Sequence, residues 1–386
     1  MLRVTALTWI PVAAIYGGRQ LTPDLSRAVE RAIAACSELG ATDILAYAIQ
    51  AKAHLASVRA PHEVHEALGH LKHATSLSVA AGSVSDAAHH AWLLAARQVE
   101  VGDVAGVEES MALMRRYAEL GDNPWARVLE SGPRFIGAYI AGDLEQAELL
   151  SHHADELADA VAGLDGAGGH GQQMFAIRRE QQRLNEVRPV IEMALARGAS
   201  TAASWRPGAA ALFADLGLLE ETARELESLV GDTGPDVPVD ARYTTSLSFV
   251  AEACVAVEDV QRAAVVRAAF LPYSGLTVVM PGVTCLGPVD RYLGRLAAVL
   301  GEFEEATACF DRATELARAM ASPLFEAHAL ADRAELALHI GSDSDARHYA
   351  EAALGAIGQR DLPRVRSLAI SVLQHISSNN NNRVES

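Results

Sequence analysis

The chain has 386 residues, enough for two or three ordinary domains or one long repeat array. Half of it is hydrophobic but only 5% is aromatic, and alanine supplies much of the apolar count, which suits closely packed helices and argues against a strand-rich fold. A formal net charge of −17 argues against a broad nucleic-acid-binding surface, because phosphate binding needs a basic footprint.

Residues 1–20 carry one early arginine, Arg3, and an apolar run broken by Pro11. The run lacks a small-x-small cleavage site and is too short for a membrane span. It is expected to be an edge helix packed on the array, or the scar of a truncation. Residues 21–230 then read as helices of ordinary length. Thr22-Pro23-Asp24 opens one that Gly40 stops, a second runs from Asp43 to about Val58, and Pro61 starts a third.

The third helix carries Ala67, Leu68, Leu71 and Thr75 on its apolar face. His62, His65, His70, His73 and Glu66 fall on the other side. Imidazoles three apart are neighbours on a helix, but a closed zinc site needs four ligands in tetrahedral array, so this side is read as a solvated face and no metal is assigned. The adjacent pairs His89-His90 and His152-His153 point in different directions and are expected at surface or interface positions.

A period emerges from the turns. They fall near Arg59, at Gly102-Asp103, Gly142-Asp143, near Gln182, and at Gly217, Glu258-Asp259, Gly301-Glu302 and Gly341-Ser342, about every 40 residues. Each such unit buries its apolar face only against its neighbours. Several turns continue into an acid and then an alanine, as in Gly142-Asp-Leu-Glu-Gln-Ala147, and these carboxylates suit helix capping better than catalysis. Gly163 to Gly171 is expected to be a flexible loop and residues 231–240 a Pro/Gly connector. A second set of helical repeats fills 241–376, and the polar residues 377–386 should form a disordered tail.

The clearest unit is Cys285 to Met320, CLGPVDRYLGRLAAVLGEFEEATACFDRATELARAM, which reads as two amphipathic helices joined at Gly301-Glu302. Val289, Leu293, Leu296, Ala297 and Leu300 share one face, and Phe303, Ala306, Phe310, Ala313, Ala317 and Met320 share another. Gly294, Ala306 and Ala313 are small where helices must approach closely. The pattern resembles the tetratricopeptide repeat, with Asp290 in place of its usual early aromatic. The fold class is therefore all-α, a superhelical array of antiparallel helix hairpins.

No stretch spells out a reaction. Cys36, Cys254, Cys285 and Cys309 form no CxxC pair and read as buried free thiols. Neither Lys52 nor Lys72 follows a P-loop glycine pattern, and GxSxG and HExxH are missing. Arg360, Arg364 and Arg366 are too few for a DNA-recognition helix. Catalytic, cofactor-binding and metal residues are all assigned as none.

Residues 179–192, 204–229 and 285–320, with LPYSGLTVVMPGV (271–283), resemble the C-terminal helical-repeat region of large actinobacterial signalling ATPases. These are LuxR-type transcriptional regulators and adenylate or guanylate cyclase-like proteins, and the likeness covers about residues 20 to 355. The family's catalytic motifs lie outside the matching part. The resemblance implies a cytoplasmic, non-catalytic regulatory scaffold that binds a protein partner or regulatory peptide along its concave face, without nucleic acid or membrane. The acidic surface favours a basic or polar peptide. A detached accessory part of a nucleotide cyclase or ATPase, and a module sensing a small-molecule effector, are the alternatives. The chain is expected to be a stand-alone or truncated regulator.

Overall fold

The computed structural model describes residues 23–59, 63–120, 123–161, 167–196 and 200–384. The predicted segment 1–20 and His62 lie outside the described residues. The fold is all-helical. Its helices are α1 (Pro23–Leu39), α2 (Thr42–Arg59), α3 (Val64–Ala80), α4 (Val84–Glu100), α5 (Val104–Leu120), α6 (Pro124–Ile140), α7 (Leu144–Asp159), α8 (Ala167–Glu180) and α9 (Arg188–Ala196). They continue with α10 (Ser200–Asp215), α11 (Leu219–Leu229), α12 (Tyr243–Ala256), α13 (Val260–Phe270), α14 (Val289–Val299), α15 (Phe303–Ala319), α16 (Pro323–His339), α17 (Asp343–Ile357) and α18 (Pro363–Val384). No described helix is long and apolar enough to cross a membrane.

Each helix packs chiefly on its neighbours in sequence, because three-residue turns such as 101–103, 141–143, 300–302 and 340–342 fold the chain back on itself. Apart from the turn near Arg59, which borders residues outside the described ones, the turns read from the sequence are places where the backbone enters the left-handed region. Gly301 does so at φ 76° with open space around it, and the non-glycine residues Gln182 (φ 55°) and Glu258 (φ 52°) do so as well. Asp143 and Asp259 cap α7 and α13, accepting from the amides of Gln146 and Arg262 at 2.9 Å each. Glu302 makes no such bond at the start of α15, although its position in the repeat is the same.

One continuous core runs from Val99 to Ile376 and crosses the Pro/Gly connector, where Val230 and Val237 are both buried. Smaller clusters pack α1 to α6. Within the unit 285–320 the small residues act as expected. A Cβ on Gly294 would meet the Phe310 ring at 2.7 Å, and Ala306 and Ala313 are buried.

Three segments differ from their sequence reading. Gly163 to Gly171 holds the first turn of α8 from Ala167, and a Cβ on Gly171 would meet the Trp205 ring at 3.7 Å, so packing overrides the glycine content there. α18 runs on to Val384, through polar residues for which a disordered tail was expected. The unit beginning at Cys285 opens as a strand. Thr277–Met280 (β3) pairs antiparallel with Thr284–Pro288 (β4), and α14 starts only at Val289. A second, minimal pair joins Val230–Gly231 (β1) to Gly234–Pro235 (β2) in the connector.

The β3–β4 hairpin sits inside the helical array, touching α4, α6, α8, α12 and α15. The later helices also return to the earlier ones. Ser322 Oγ donates to the Ile140 carbonyl and Arg360 Nε to the Ala141 carbonyl, both at 2.8 Å. Gly102 lies against Leu316 and Met320. Helices α15–α18 thus close against the ends of α4 and α6.

Candidate functional site

Alternate helices contribute charged side chains to one buried cluster. α8 ends in Arg179 and Glu180, α10 ends in Asp215, and α12 carries Glu252 in an otherwise apolar run. α14 supplies Arg291 and Arg295, α16 His328 and Asp332, and α18 Arg364 from its first turn. Arg179 reaches Glu252 at 2.6 Å and also pairs with Asp215. Arg291 meets Asp332 at 2.6 Å and Glu252 at 3.5 Å, and Arg295 meets Glu252 at 3.0 Å. Arg364 touches Glu180, Asp215 and Glu252 at 3.1, 3.2 and 3.5 Å. Four arginines thus face four carboxylates, the balance that burial of so much charge requires.

The electrostatics follow from this geometry. Burial works against ionisation of Glu252, yet Arg179, Arg295, Arg364 and Arg291 more than offset it and hold the carboxyl well below its ordinary value. Glu180 is likewise opposed by burial, but His328, Arg364 and Arg179 bring it down to about 2. Burial pushes the His328 imidazole down against the pull of Glu180. His328 Nε2 lies 2.8 Å from Glu180 Oε2, and since a carboxylate can only accept, the ring donates there. The cavity among Tyr139, Arg179, Glu180, Arg291, Tyr292 and His328 measures about 20 Å³, the scale of one water site and far below that of a substrate.

The β3–β4 hairpin is fastened beside this cluster. Asp290 is buried and accepts from Ser274 Oγ at 2.8 Å, from the Gly275 amide at 2.6 Å and from Arg312 Nε at 2.9 Å. This explains the departure from the repeat pattern at Asp290: an acid there anchors the turn leading into the hairpin. Tyr292 donates to the Leu286 carbonyl at 2.7 Å, and Gln173 Nε2 donates to the Val283 carbonyl at 3.0 Å. At the tip, a Cβ on Gly282 would sit 2.1 Å from Trp92 Nε1, and one on Gly132 would sit 2.0 Å from the Gly282 carbonyl. The tip is wedged between α4 and α6.

The histidines singled out in the sequence go to different places. His65 and His73 are exposed, and His70 lies 3.3 Å from Glu66. Among the described residues no group of three or more His, Cys, Asp or Glu could hold a metal. His152 and His153 are surface residues, as expected. His89 and His90 are not. His90 is fully buried with Nδ1 2.9 Å from Ser78 Oγ, and His89 stacks on Trp92. Burial drives His89 down to about 4 and His90 to about 3, and buried His54 joins them at about 3. Their position follows from α4 being enclosed on nearly all sides, which adjacency in sequence does not reveal. The four cysteines are free and buried, and burial lifts the thiols of Cys254, Cys285 and Cys309 to about 12. Arg360, Arg364 and Arg366 are all spent on contacts within the chain.

A second feature is an apolar groove of about 320 Å³, a volume in the range of ligand sites. It lies between α5 and α7 with α6 as its floor. Neither it nor the ionic cluster is encoded by a local motif. The cluster's one local trace is the lone Glu252 in the helix YTTSLSFVAEACVA. Compared with known protein families and with curated protein sequences, the chain matches none.

Proposed function

We propose that the protein is a non-catalytic helical-repeat scaffold that binds a protein partner in bacterial signalling or transcription regulation. In this reading the helices form a superhelical, tetratricopeptide-like array of antiparallel hairpins, with α4, α6, α8, α10, α12, α14, α16 and α18 lining its inner face. The observation that carries the reading is the ionic cluster. Its arginines and carboxylates satisfy one another across six alternate helices around a cavity of about 20 Å³, which is the work of holding repeats in register. The likeness of 285–320 to the repeats of LuxR-type and cyclase-like ATPases supports the regulatory setting. In this reading the cluster and the β3–β4 hairpin lie among the helices of that inner face, and the partner is received on another surface.

Affinity capture from the source cell with folded, monodisperse protein should recover a partner in stoichiometric amount. The purified chain should neither hydrolyse ATP nor cyclise a nucleotide. Turnover of either kind, abolished by substitution within the chain, would overturn the reading.

A further inference from the structure

We propose that the groove over α6 is the partner-docking surface and that its occupant is a basic amphipathic helix, an inference that rests on the scaffold reading above. Val107 and Met111 of α5, Ile136 and Gly137 of α6, Leu150 of α7 and Met320 beyond α15 form an apolar trough of about 320 Å³. Pro133 lies inside α6 on the groove's lining, and Gly137 leaves the floor without a side chain. A Cβ at Gly137 would have nothing within 4 Å. Methionines at two walls let the surface adapt to the side chains it receives. An apolar trough between helices, lined this way, suits the apolar stripe of an added helix.

Charge selects the sign of that helix. The groove's charged residues are Asp103, Glu108 and Arg134, two carboxylates against one guanidinium, in a chain of net charge −17. Asp103 caps α5 through the Gly106 amide at 2.9 Å, while Glu108 is exposed and makes no ion pair with a described residue. Lysines or arginines flanking an apolar stripe would meet Glu108 at the rim and be drawn in by the long-range field. The position has a structural consequence as well. Met320, beside the seam where Ser322 bonds the Ile140 carbonyl, forms one end of the groove, so an occupant touches both sides of the closure.

The test uses the full chain and fluorescence polarisation of a labelled leucine–lysine amphipathic helix, with its leucine–glutamate counterpart as control. The leucine–lysine helix should bind and the control should not. Gly137→Leu places a branched side chain at the groove floor without changing charge, from a Cβ that meets nothing within 4 Å, and should weaken binding about tenfold or more, as loss of a central contact does. Gly137→Ala should bind as the parent does, and Glu108→Lys should weaken binding and flatten its salt dependence. Circular dichroism and melting temperature of the Gly137 variants should match or exceed the parent, since glycine is a poor residue in a helix interior. Equal binding by parent and Gly137→Leu would overturn the proposal. So would Nile red fluorescence lost in Gly137→Leu with no peptide binding, which would assign the groove to a small apolar molecule. A stoichiometric cellular partner retained by Gly137→Leu would overturn the groove and leave the scaffold reading standing. Nucleotide turnover with intact peptide binding would do the reverse.

Discussion

Glu252 concentrates the energetics of the buried cluster. Arg179 and Arg295 lie at 2.6 and 3.0 Å, and Arg291 and Arg364 at 3.5 Å each. Truncating a single member of such a network strands the opposite charges in a poor dielectric, which costs about 3–5 kcal/mol, whereas apolar replacement of a complete set can be neutral. Glu252→Ala should therefore lower stability by about 3–5 kcal/mol in urea denaturation, against about 1 kcal/mol or less for the exposed pair Arg188–Glu192. Equal effects at the two sites would show that the cluster does not bear on stability. The sequence gives little notice of this, because each helix contributes only one or two of the charges. Arg291 and Asp332 carry no local signal that sets them apart until α14 and α16 are set side by side.

At the scale of elements, the β3–β4 hairpin behaves differently from the turns around it. Gly301 and Gly282 both adopt positive φ, but only Gly282 is also wedged against Trp92 and Gly132. Gly301→Ala should cost about 1 kcal/mol, the usual price of a side chain in the left-handed region. Gly282→Ala adds an overpacking penalty of about 1–3 kcal/mol and should change Trp92 fluorescence. Thermal denaturation followed by tryptophan emission separates the two; an unchanged emission spectrum in Gly282→Ala would mean that the tip is not seated on Trp92. The repeat grammar made the helices and their turns legible, down to Gln182 and Glu258 as turn residues without glycine. It did not reveal that TVVMPGVTCLGP pairs with itself, since a short apolar run is compatible with either strand or buried helix until its surroundings are known.

For the whole molecule, pH should act in two windows. His54, His89 and His90 are neutral in the fold, with values pushed down by burial to about 3, 4 and 3 from an unfolded value of about 6.5. The unfolded chain therefore takes up protons first, and the stability these neutral imidazoles confer is full above about pH 6.5 and lost as pH falls towards about 4 and below. His328 shifts in the same direction. Glu180 and Glu252 are depressed instead, so their contribution is present above about pH 4.3 and is lost only as pH falls through the folded value, about 2 for Glu180. Calorimetry should show a lower melting temperature at pH 5 than at pH 7.5, with the loss reduced by His54→Gln. A melting temperature flat across that range would contradict the burial of these rings.

Helix and turn positions, the all-α class, the close packing at Gly294, Ala306 and Ala313 and the burial of all four cysteines follow from residues within a few turns of one another, because helical period, capping and the left-handed turn are local properties. The ionic cluster, the hairpin wedged at Trp92, the burial of His89 and His90 and the seam from Ser322 to Ile140 join residues far apart in the chain. The return of α15–α18 to α4 and α6 makes the seam, the insertion of β3–β4 between α4 and α6 seats the hairpin, and the packing of α2 and α3 on α4 buries His89 and His90. Their pairing is fixed by the desolvation each charge and each polar atom must avoid once the array closes, and that cost exists only in three dimensions.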